Sequence, residues 1–331
     1  MRLAALCAGL MIALAGCGLS EAMSRTPADS GAAPRAATTG PSVSPSEKER
    51  PALPEVTPFT VAADEPARPV KRAAVAFLET LFNYPQGGGS LAASRERLAA
   101  RGLPAQNIAT AKALLHEDAT GALQVVYPQL GGLTATSSSI MTVVRQAVLR
   151  DGKLTTSTRT LDVRLAKRGG IWGVTRIAST GGRATKAVGT SALARQVLSS
   201  RKIVLPDTAR WDIQAGRVDD RVLRMLLRLS RDHKLSVCVL SNGHPANVYG
   251  STSVSNHTRG RAVDIWTIDG KRVATYARQP GDARNPARVL MERALRYGSD
   301  EVGGPWSFAT RDGGTFTNTV HEDHLHIGFK R

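Results

Sequence analysis

The chain has 331 residues, enough for more than one domain, and its formal net charge is +17. A charge of this size points first to nucleic acid as a partner. Aromatic residues make up only 5% of the chain, however, so few side chains are available to stack on bases, and this composition argues against nucleic-acid binding.

The N-terminus has the pattern of a secretion signal. Arg2 precedes an apolar run over residues 3–15 that is too short to span a bilayer as a helix. The sequence LAGC at 14–17 resembles a bacterial lipobox. It implies that residues 1–16 are removed and that the lipidated Cys17 anchors the protein to the extracytoplasmic face of the cell membrane. An ordinary secretory signal with a chance cysteine is the alternative.

Export would keep the chain away from nucleic acid, so we expect no nucleic-acid partner. Anionic lipid headgroups and anionic wall polymers fit the positive charge better, because long-range attraction requires no specific contacts. A general preference of the genome for arginine would explain the charge equally well. The three cysteines give no disulfide framework: Cys7 lies in the signal, Cys17 would carry lipid, and Cys238 is expected to be a small buried hydrophobe.

The next segment, 17–65, is rich in Ala, Ser, Thr, Pro and Gly and shows no apolar periodicity. Such a composition cannot bury enough surface to offset the entropy of the chain, so it predicts a disordered tether. A first folded domain is expected over 66–182. Apolar residues recur at helical spacing in three of its stretches, and Asn83 and Pro85 end the first of them. These stretches are 70–81, 91–101 and 105–116.

The periodicity then changes to that of strands, predicted over 140–149, 154–165 and 171–177. Asp151-Gly152 is typical of a hairpin turn between the first two. Helices followed by a long antiparallel hairpin resemble, in the order of elements alone, the cone of nuclear transport factor 2-like domains, an α+β fold. We find no catalytic constellation in this domain and expect it to be a spacer or a docking domain.

A linker rich in Gly, Ala and Thr covers 183–195, and a second domain is expected over 196–331. Asp219 or Asp220 is positioned to cap a helix whose apolar residues face the core. A second helix is expected to open at the Asn-Pro pair 285–286. Few strands, two helices and long loops predict a small α+β domain. The predicted strands are 235–240, 261–266 and 324–329.

Histidines are concentrated near the C-terminus, which core packing does not explain. His257 and Asp264 are seven residues apart, and Gly260 between them lets the backbone turn tightly. His324 and His326 are two apart in a predicted strand and therefore face the same side. Imidazoles and a carboxylate at these spacings are typical of a catalytic zinc site, which uses three protein ligands and leaves one position open.

These residues carry a resemblance to a known family. The pattern SxHxxGxAxD at 255–264, followed by HxH at 324–326, resembles the LAS metallopeptidases, which include lysostaphin-type enzymes, D-Ala-D-Ala peptidases and the hedgehog domain. The run HEDHLH, which contains the second motif, is similar to the closing motif of penicillin-insensitive murein endopeptidases. The resemblance implies a small antiparallel-sheet domain of the hedgehog type and a zinc ion, Zn²⁺, held by His257, Asp264 and His326.

The resemblance leaves the general base open. The endopeptidase pattern gives this role to His324, whereas carboxypeptidase-type relatives place an acid at the position of Asp323. A strand that already includes residue 323 would turn Asp323 away from His326, and a later start would leave it within reach of the ion. We favour His324 as the base, with Asp323 second and His321 as a contact for the substrate or the transition state.

Carboxypeptidase-type relatives also carry a Ser-Gly-Tyr-Arg segment after the strand that precedes the first ligand. This chain has Ser-Asn-Gly-His at 241–244, which disfavours that activity and makes His244 a candidate oxyanion donor. The resemblance implies a zinc-dependent peptidase, an endopeptidase or a carboxypeptidase, that acts on the stem or cross-bridge peptides of peptidoglycan. The alternatives are a module that binds zinc and the wall without hydrolysis, and a basic wall-binding scaffold that works through its first domain.

Overall fold

The structure is a computed structural model that describes residues 51–184 and 190–331. The predicted signal peptide, Cys17 and most of the predicted tether lie outside the described residues. The described residues form one compact unit. We refer to residues 51–184 as the N-terminal half and to residues 190–331 as the C-terminal half. In both described ranges, no helix has the length and apolar character needed to cross a membrane.

The N-terminal half begins with helices. Helix α1 spans Arg68–Phe82, α2 spans Leu91–Ala99, and a 3-10 helix spans Ile108–Leu114. Each lies within or around a stretch that was predicted to be helical. The fold starts earlier than predicted, because Val61 and Glu65 of the predicted tether are already buried.

Four antiparallel strands follow, hydrogen-bonded in chain order: β1 Thr120–Leu133, β2 Ser137–Arg150, β3 Lys153–Arg168 and β4 Ile171–Ser179. The turn between β2 and β3 has Asp151 at φ 48° and Gly152 at φ 69°, the left-handed conformations that a two-residue hairpin requires. Strands β2 to β4 were predicted. Strand β1 was not, because glycines and Pro128 interrupt the alternation of its apolar residues.

The C-terminal half has five α-helices and a 3-10 helix: α3 Ala192–Ser199, α4 Asp207–Gln214, α5 Asp220–Leu229, α6 Val273–Tyr276, α7 Pro286–Arg296 and the 3-10 helix Thr319–Glu322. Helix α5 has the predicted aspartate cap, since the Asp219 side chain accepts a hydrogen bond from the backbone N–H of Arg221. Helix α7 opens at the predicted Asn-Pro pair, where Asn285 accepts from the N–H of Ala287. Helix α3 begins inside the segment predicted as a linker.

The second sheet contains eight strands. They are β5 Ile203–Val204, β6 Leu235–Val239, β7 Ala262–Ile268, β8 Lys271–Arg272, β9 Glu301–Gly303, β10 Ala309–Thr310, β11 Gly313–Phe316 and β12 Leu325–Gly328. Their order is β10-β11-β9-β12-β7-β6-β5, with β8 paired to β7. The pairs β5–β6 and β9–β11 are parallel, so this sheet is mixed rather than wholly antiparallel. The described chain is an α+β structure.

The two sheets share a small buried core. Met141 and Val143 of β2 pack with Cys238 and Val239 of β6, while each half also has a larger core of its own. Cys238 is a free, buried thiol, as predicted, and burial raises its pKa. Because the middle of β2 is covered on both faces, the run from Ile140 to Val144 is nearly all apolar instead of alternating.

Candidate metal centre

Two adjacent strands bring Asp264 and His326 side by side. Asp264 lies in β7 and His326 in β12, and their Cα atoms are direct partners in this antiparallel pair. Side chains of such partners lie on the same face of the sheet. Leu325 and Ile327, which flank His326, point to the other face and are fully buried in the core. Strand β12 therefore directs the imidazole of His326 to one face of the sheet, while Leu325 and Ile327 anchor the strand in the core on the other face.

His257 reaches the same point from the loop between β6 and β7. Gly260 has φ +69°, and a Cβ there would lie 1.8 Å from the carbonyl oxygen of Arg217, so only glycine fits. The backbone N–H of Asp219 donates to the carbonyl of Gly260 at 2.9 Å. Nδ1 of His257 donates to the carbonyl of Leu240 at 2.8 Å. These contacts fix both the loop and the imidazole ring.

Three potential ligand atoms form a compact triangle. Nε2 of His257 is 3.1 Å from Oδ1 of Asp264 and 3.2 Å from Nδ1 of His326. Nδ1 of His326 is 3.0 Å from Oδ1 of Asp264. Tetrahedral zinc, with bonds of about 2.0–2.2 Å, separates neighbouring ligand atoms by about 3.3–3.6 Å. The structure thus brings together the three predicted ligands at nearly the spacing that zinc requires.

The positions of the ring protons also fit a cation. Nδ1 of His257 faces a carbonyl oxygen and must carry a proton, so in the neutral ring Nε2 directs its lone pair at the triangle. Nε2 of His326 is buried and has no hydrogen-bond partner among the described residues. A metal ion placed between the three atoms would contact all of them.

Asp264 is ionised although it is buried. Burial raises its pKa, but the imidazoles of His257 and His324 outweigh this effect and hold the pKa well below its usual range. The second oxygen, Oδ2, accepts a 2.8 Å hydrogen bond from Nε2 of Gln129 in β1. Gln129 is fully buried. The N-terminal half therefore helps to orient a carboxylate of the C-terminal half.

Glu301 in β9 is a second carboxylate beside the triangle. Its Oε1 lies 3.8 Å from Nε2 of His326, and its Oε2 accepts a hydrogen bond from Asn256. The interaction with His326 lowers the pKa of Glu301 to about 2. Burial lowers the pKa of His326, but the carboxylates of Asp264 and Glu301 outweigh burial and raise it to about 9. These surroundings are negative and favour a cation.

His244 is a further donor at this site. His244, His257 and Asp264 form a group that could hold a metal ion, with one ligand atom of each within 4.8 Å of the others. The rings of His244 and His257 are stacked, with centroids 4.0 Å apart. Nδ1 of His244 donates to the carbonyl of Pro245 at 2.7 Å, and burial together with His257 holds its pKa well below the usual range. Neutral His244 then accepts at Nε2, which does not fit an oxyanion donor.

The structure separates the two candidate bases. Strand β12 begins at Leu325, so neither Asp323 nor His324 lies in it. Asp323 is fully buried, and its Oδ2 accepts hydrogen bonds from Nζ of Lys71 at 2.5 Å and from the N–H of Leu130 at 2.9 Å. The late start of the strand was expected to leave Asp323 within reach of the ion. Asp323 instead faces the N-terminal half, because that half supplies two donors.

His324 faces the potential ligands. Its Nδ1 donates to Oδ1 of Asp323 at 2.7 Å, so in the neutral ring the lone pair is on Nε2. That Nε2 lies 3.8 Å from Oδ2 of Asp264. Burial raises the pKa of Asp323, but Lys71 and His324 outweigh it and keep the pKa below its usual range. His324 thus has the geometry of a general base whose other nitrogen is held by an ionised carboxylate.

His321 lies on a 3-10 helix, Thr319–Glu322, and lines the same cleft. Its Nδ1 donates to Oδ1 of Asn318 at 2.8 Å. Burial, together with His324 and His326, lowers the pKa of His321 to about 3. The neutral ring can accept a hydrogen bond at Nε2 from a molecule bound in the cleft.

The cleft has a volume of about 330 Å³ and walls from both halves. The N-terminal half contributes Leu130 and Met141, and the C-terminal half contributes Phe316. Asp264 and Glu301 are its acidic residues, and no lysine or arginine of the described ranges lines it. The cleft therefore offers apolar surface and imidazoles, but no lysine or arginine among the described residues that could pair with a carboxylate.

No protein-family model, curated protein or solved structure matches this chain. The interpretation of the site therefore depends on its geometry. The three residues of the triangle were predicted from the sequence, whereas Glu301, Gln129 and Lys71 were not. No local motif surrounds these three residues, and only the tertiary fold brings them to the site. Gln129, for example, precedes Asp264 by 135 residues.

Proposed function

We propose that the chain is a zinc-dependent peptidase that hydrolyses an internal peptide bond of peptidoglycan. The triangle formed by His257, Asp264 and His326, with separations of 3.0–3.2 Å, is the observation that carries this proposal. The motif resemblance to the LAS metallopeptidases supports the same chemistry. The expected lipid anchor would hold the protein next to the cell wall.

The donor set favours zinc over other common ions. Magnesium and calcium prefer oxygen ligands, whereas two imidazole nitrogens and one carboxylate oxygen suit zinc. His257, Asp264 and His326 would hold the ion, with His244 as a neighbouring donor. When bound, zinc supplies Lewis acidity, which polarises a carbonyl group and lowers the pKa of water to about 7.

We assign proton transfer to His324. Its Nε2 has a free lone pair and faces the ligands, whereas both oxygens of Asp323 are occupied, Oδ1 by His324 and Oδ2 by Lys71 and Leu130. In this proposal His324 takes a proton from the attacking water and delivers it to the leaving amine. Asp323 keeps the proton of His324 on Nδ1. His321 accepts a hydrogen bond from the substrate.

The walls of the cleft favour an internal bond over a C-terminal one. A carboxypeptidase must bind the terminal carboxylate of its substrate, commonly through arginine or lysine. Among the described residues no such side chain lines the cleft, and Glu301 would repel a carboxylate. The two ends of an internal bond continue as chain and need no ion pair. We therefore place the endopeptidase before the carboxypeptidase.

Digestion of peptidoglycan tests this function directly. The chain without its predicted signal peptide is loaded with zinc and incubated with purified peptidoglycan, and the product masses identify the bond that is cut. We expect cross-linked muropeptides to be converted to shorter ones, and His324→Ala to stop cleavage while zinc remains bound. Full zinc occupancy without any cleavage would contradict the peptidase and favour a non-hydrolytic zinc module. Activity in His324→Ala would overturn the assignment of the base.

A further inference from the structure

Lys71 links the N-terminal half to the candidate base. It lies in α1, and its side chain is 0% exposed. Its Nζ is 2.5 Å from Oδ2 of Asp323 and 2.5 Å from Oε2 of Glu65. Lysine is almost never fully buried unless it is paired, and the two carboxylates account for its burial. Lys71 and Asp323 are 252 residues apart in the sequence.

The charges around Lys71 alternate. Nη1 of Arg272 is 2.6 Å from Oε1 of Glu65, Glu65 contacts Lys71, and Lys71 contacts Asp323. Arg272 also pairs with the partly exposed Asp64, so the network contains two cations and three carboxylates, and the ammonium group of Lys71 lies directly between the carboxylates of Glu65 and Asp323. An ionised Asp323 is therefore stable in a fully buried position, where a lone carboxylate would be costly.

Each oxygen of Asp323 has a separate set of partners. Oδ2 is held from the N-terminal half by Lys71 and by the N–H of Leu130. With Oδ2 fixed, the plane of the carboxylate is fixed, and Oδ1 meets Nδ1 of His324 at 2.7 Å. Nε2 of His324 is then directed towards Asp264. The orientation of the candidate base thus depends on a side chain from the other half of the molecule.

We propose that Lys71 is a positioning residue for the base. It holds Asp323 so that His324 keeps its proton on Nδ1 and presents Nε2 to the potential metal ligands. The proposal rests on the proposed function of His324. It also makes the N-terminal half a part of the catalytic apparatus rather than a spacer.

The test uses the zinc-loaded chain without its predicted signal peptide. Lys71→Met keeps a similar length but removes the ammonium group, so Oδ2 of Asp323 retains only the N–H of Leu130. General acid–base catalysis contributes about 10²–10⁴-fold, and we expect kcat on cross-linked muropeptides to fall about 10–100-fold. KM and zinc affinity should stay at wild-type values, because Lys71 contacts neither the triangle nor the cleft.

Arg278→Met is the matched control. The guanidinium of Arg278 bridges the same two segments, donating to the carbonyl of Asp64 and to Oε2 of Glu322, but it does not contact Asp323. We expect this variant to keep the wild-type kcat. An equal loss of kcat in Lys71→Met and Arg278→Met would mean that a loosened junction explains the effect, and it would overturn the proposal.

A second readout does not depend on activity. In the zinc-loaded wild-type chain, ¹⁵N NMR of the His324 ring should show a single tautomer with the proton on Nδ1. Lys71→Met should give a mixture of tautomers. If the wild type cuts no muropeptide, the proposed function fails, while the tautomer still decides whether Lys71 positions His324. If Lys71→Met keeps the wild-type tautomer of His324 and only lowers the Tm, Lys71 contributes to stability through its ion pairs and does not position the base.

Lys71→Met leaves Glu65 without its buried partner and can fail to fold for that reason alone. The double variant Glu65→Gln, Lys71→Met removes one charge of each sign. It is then compared with the single variant Glu65→Gln, in which the ammonium group of Lys71 still contacts Asp323. We expect the tautomer mixture in the double variant and the wild-type tautomer in the single one. The same tautomer in both would overturn the proposal.

Discussion

Replacing Gln129 by leucine should weaken zinc binding without disturbing the fold around the site. Nε2 of Gln129 makes a 2.8 Å hydrogen bond to Oδ2 of Asp264, and both residues are at most 1% exposed. Among the described residues this is the only hydrogen bond to Oδ2. Loss of such a bond to a metal-binding carboxylate weakens affinity about 10–100-fold, which corresponds to about 1.4–2.7 kcal/mol.

The assay is competition for zinc against a chromophoric chelator, at fixed pH and ionic strength. Gln146→Leu provides the control, because Gln146 is also buried and its Nε2 donates to the carbonyl of Leu114 at 2.7 Å, away from the triangle. Both variants lose one buried hydrogen bond and should lose similar stability, about 1 kcal/mol each. Only Gln129→Leu should release zinc more readily.

Two results would refute this reasoning. Wild-type zinc affinity in Gln129→Leu would mean that Asp264 is not oriented by β1, or that it is not a ligand. Equal losses of affinity in both variants would mean that zinc binding follows global stability and not the contact with Asp264. Gln129→Glu adds a third comparison, because a carboxylate beside Asp264 should repel it and distort the triangle.

Three further predictions concern the metal and the loop that carries His257. Free zinc at 100 times its Kd should stabilise the chain by about 2.7 kcal/mol, which calorimetry would detect as a higher Tm; no shift would argue against a site in the folded state. His326 in the zinc-free protein has its pKa raised to about 9, so it is protonated at pH 7, and zinc binding should release about one proton and tighten as the pH rises towards 9. Titrations in buffers of different ionisation enthalpy would count this proton, and a count of zero would exclude His326 as a ligand. Gly260→Ala should lose zinc and at least about 1–2 kcal/mol of stability. Gly270 is also at positive φ but has nothing within 4 Å of its Cβ position, so Gly270→Ala should lose only stability. Normal zinc content in Gly260→Ala would contradict the proposal that Gly260 shapes the loop that carries His257.

Local sequence patterns predicted every element of the N-terminal half except β1, but only α5, α7, β6, β7 and β12 of the C-terminal half. The caps at Asp219 and Asn285 follow from side chains next to the backbone groups that they satisfy, and helix α1 ends at Phe82, directly before Asn83, as predicted. Strand β1 escaped prediction because glycines and Pro128 break its alternation, and its pairing with β2 overrides that weak local preference. The burial of Val61 and Glu65 could not be predicted from the local sequence either, because their partners lie far along the chain.

The residues of the candidate site likewise include some that the sequence could predict and some that it could not. His257, Asp264 and His326 could be selected from sequence because their spacing matches a strand and an adjoining loop. The choice between Asp323 and His324 could not be made, since it depends on donors from Lys71 and Leu130 in the other half of the chain. Periodicity and spacing carry no information about contacts between halves.

The dependence of the triangle on both halves has a consequence for how zinc content should be understood. Asp264 is oriented by Gln129, and the ring beside it, His324, is oriented through Asp323 by Lys71. Contacts between residues so distant in sequence are slow to form. If the triangle binds zinc as proposed, a molecule whose sheets have not yet met would hold the ion poorly, and the metal-to-protein ratio of a preparation would then report the fraction of chains in which assembly is complete.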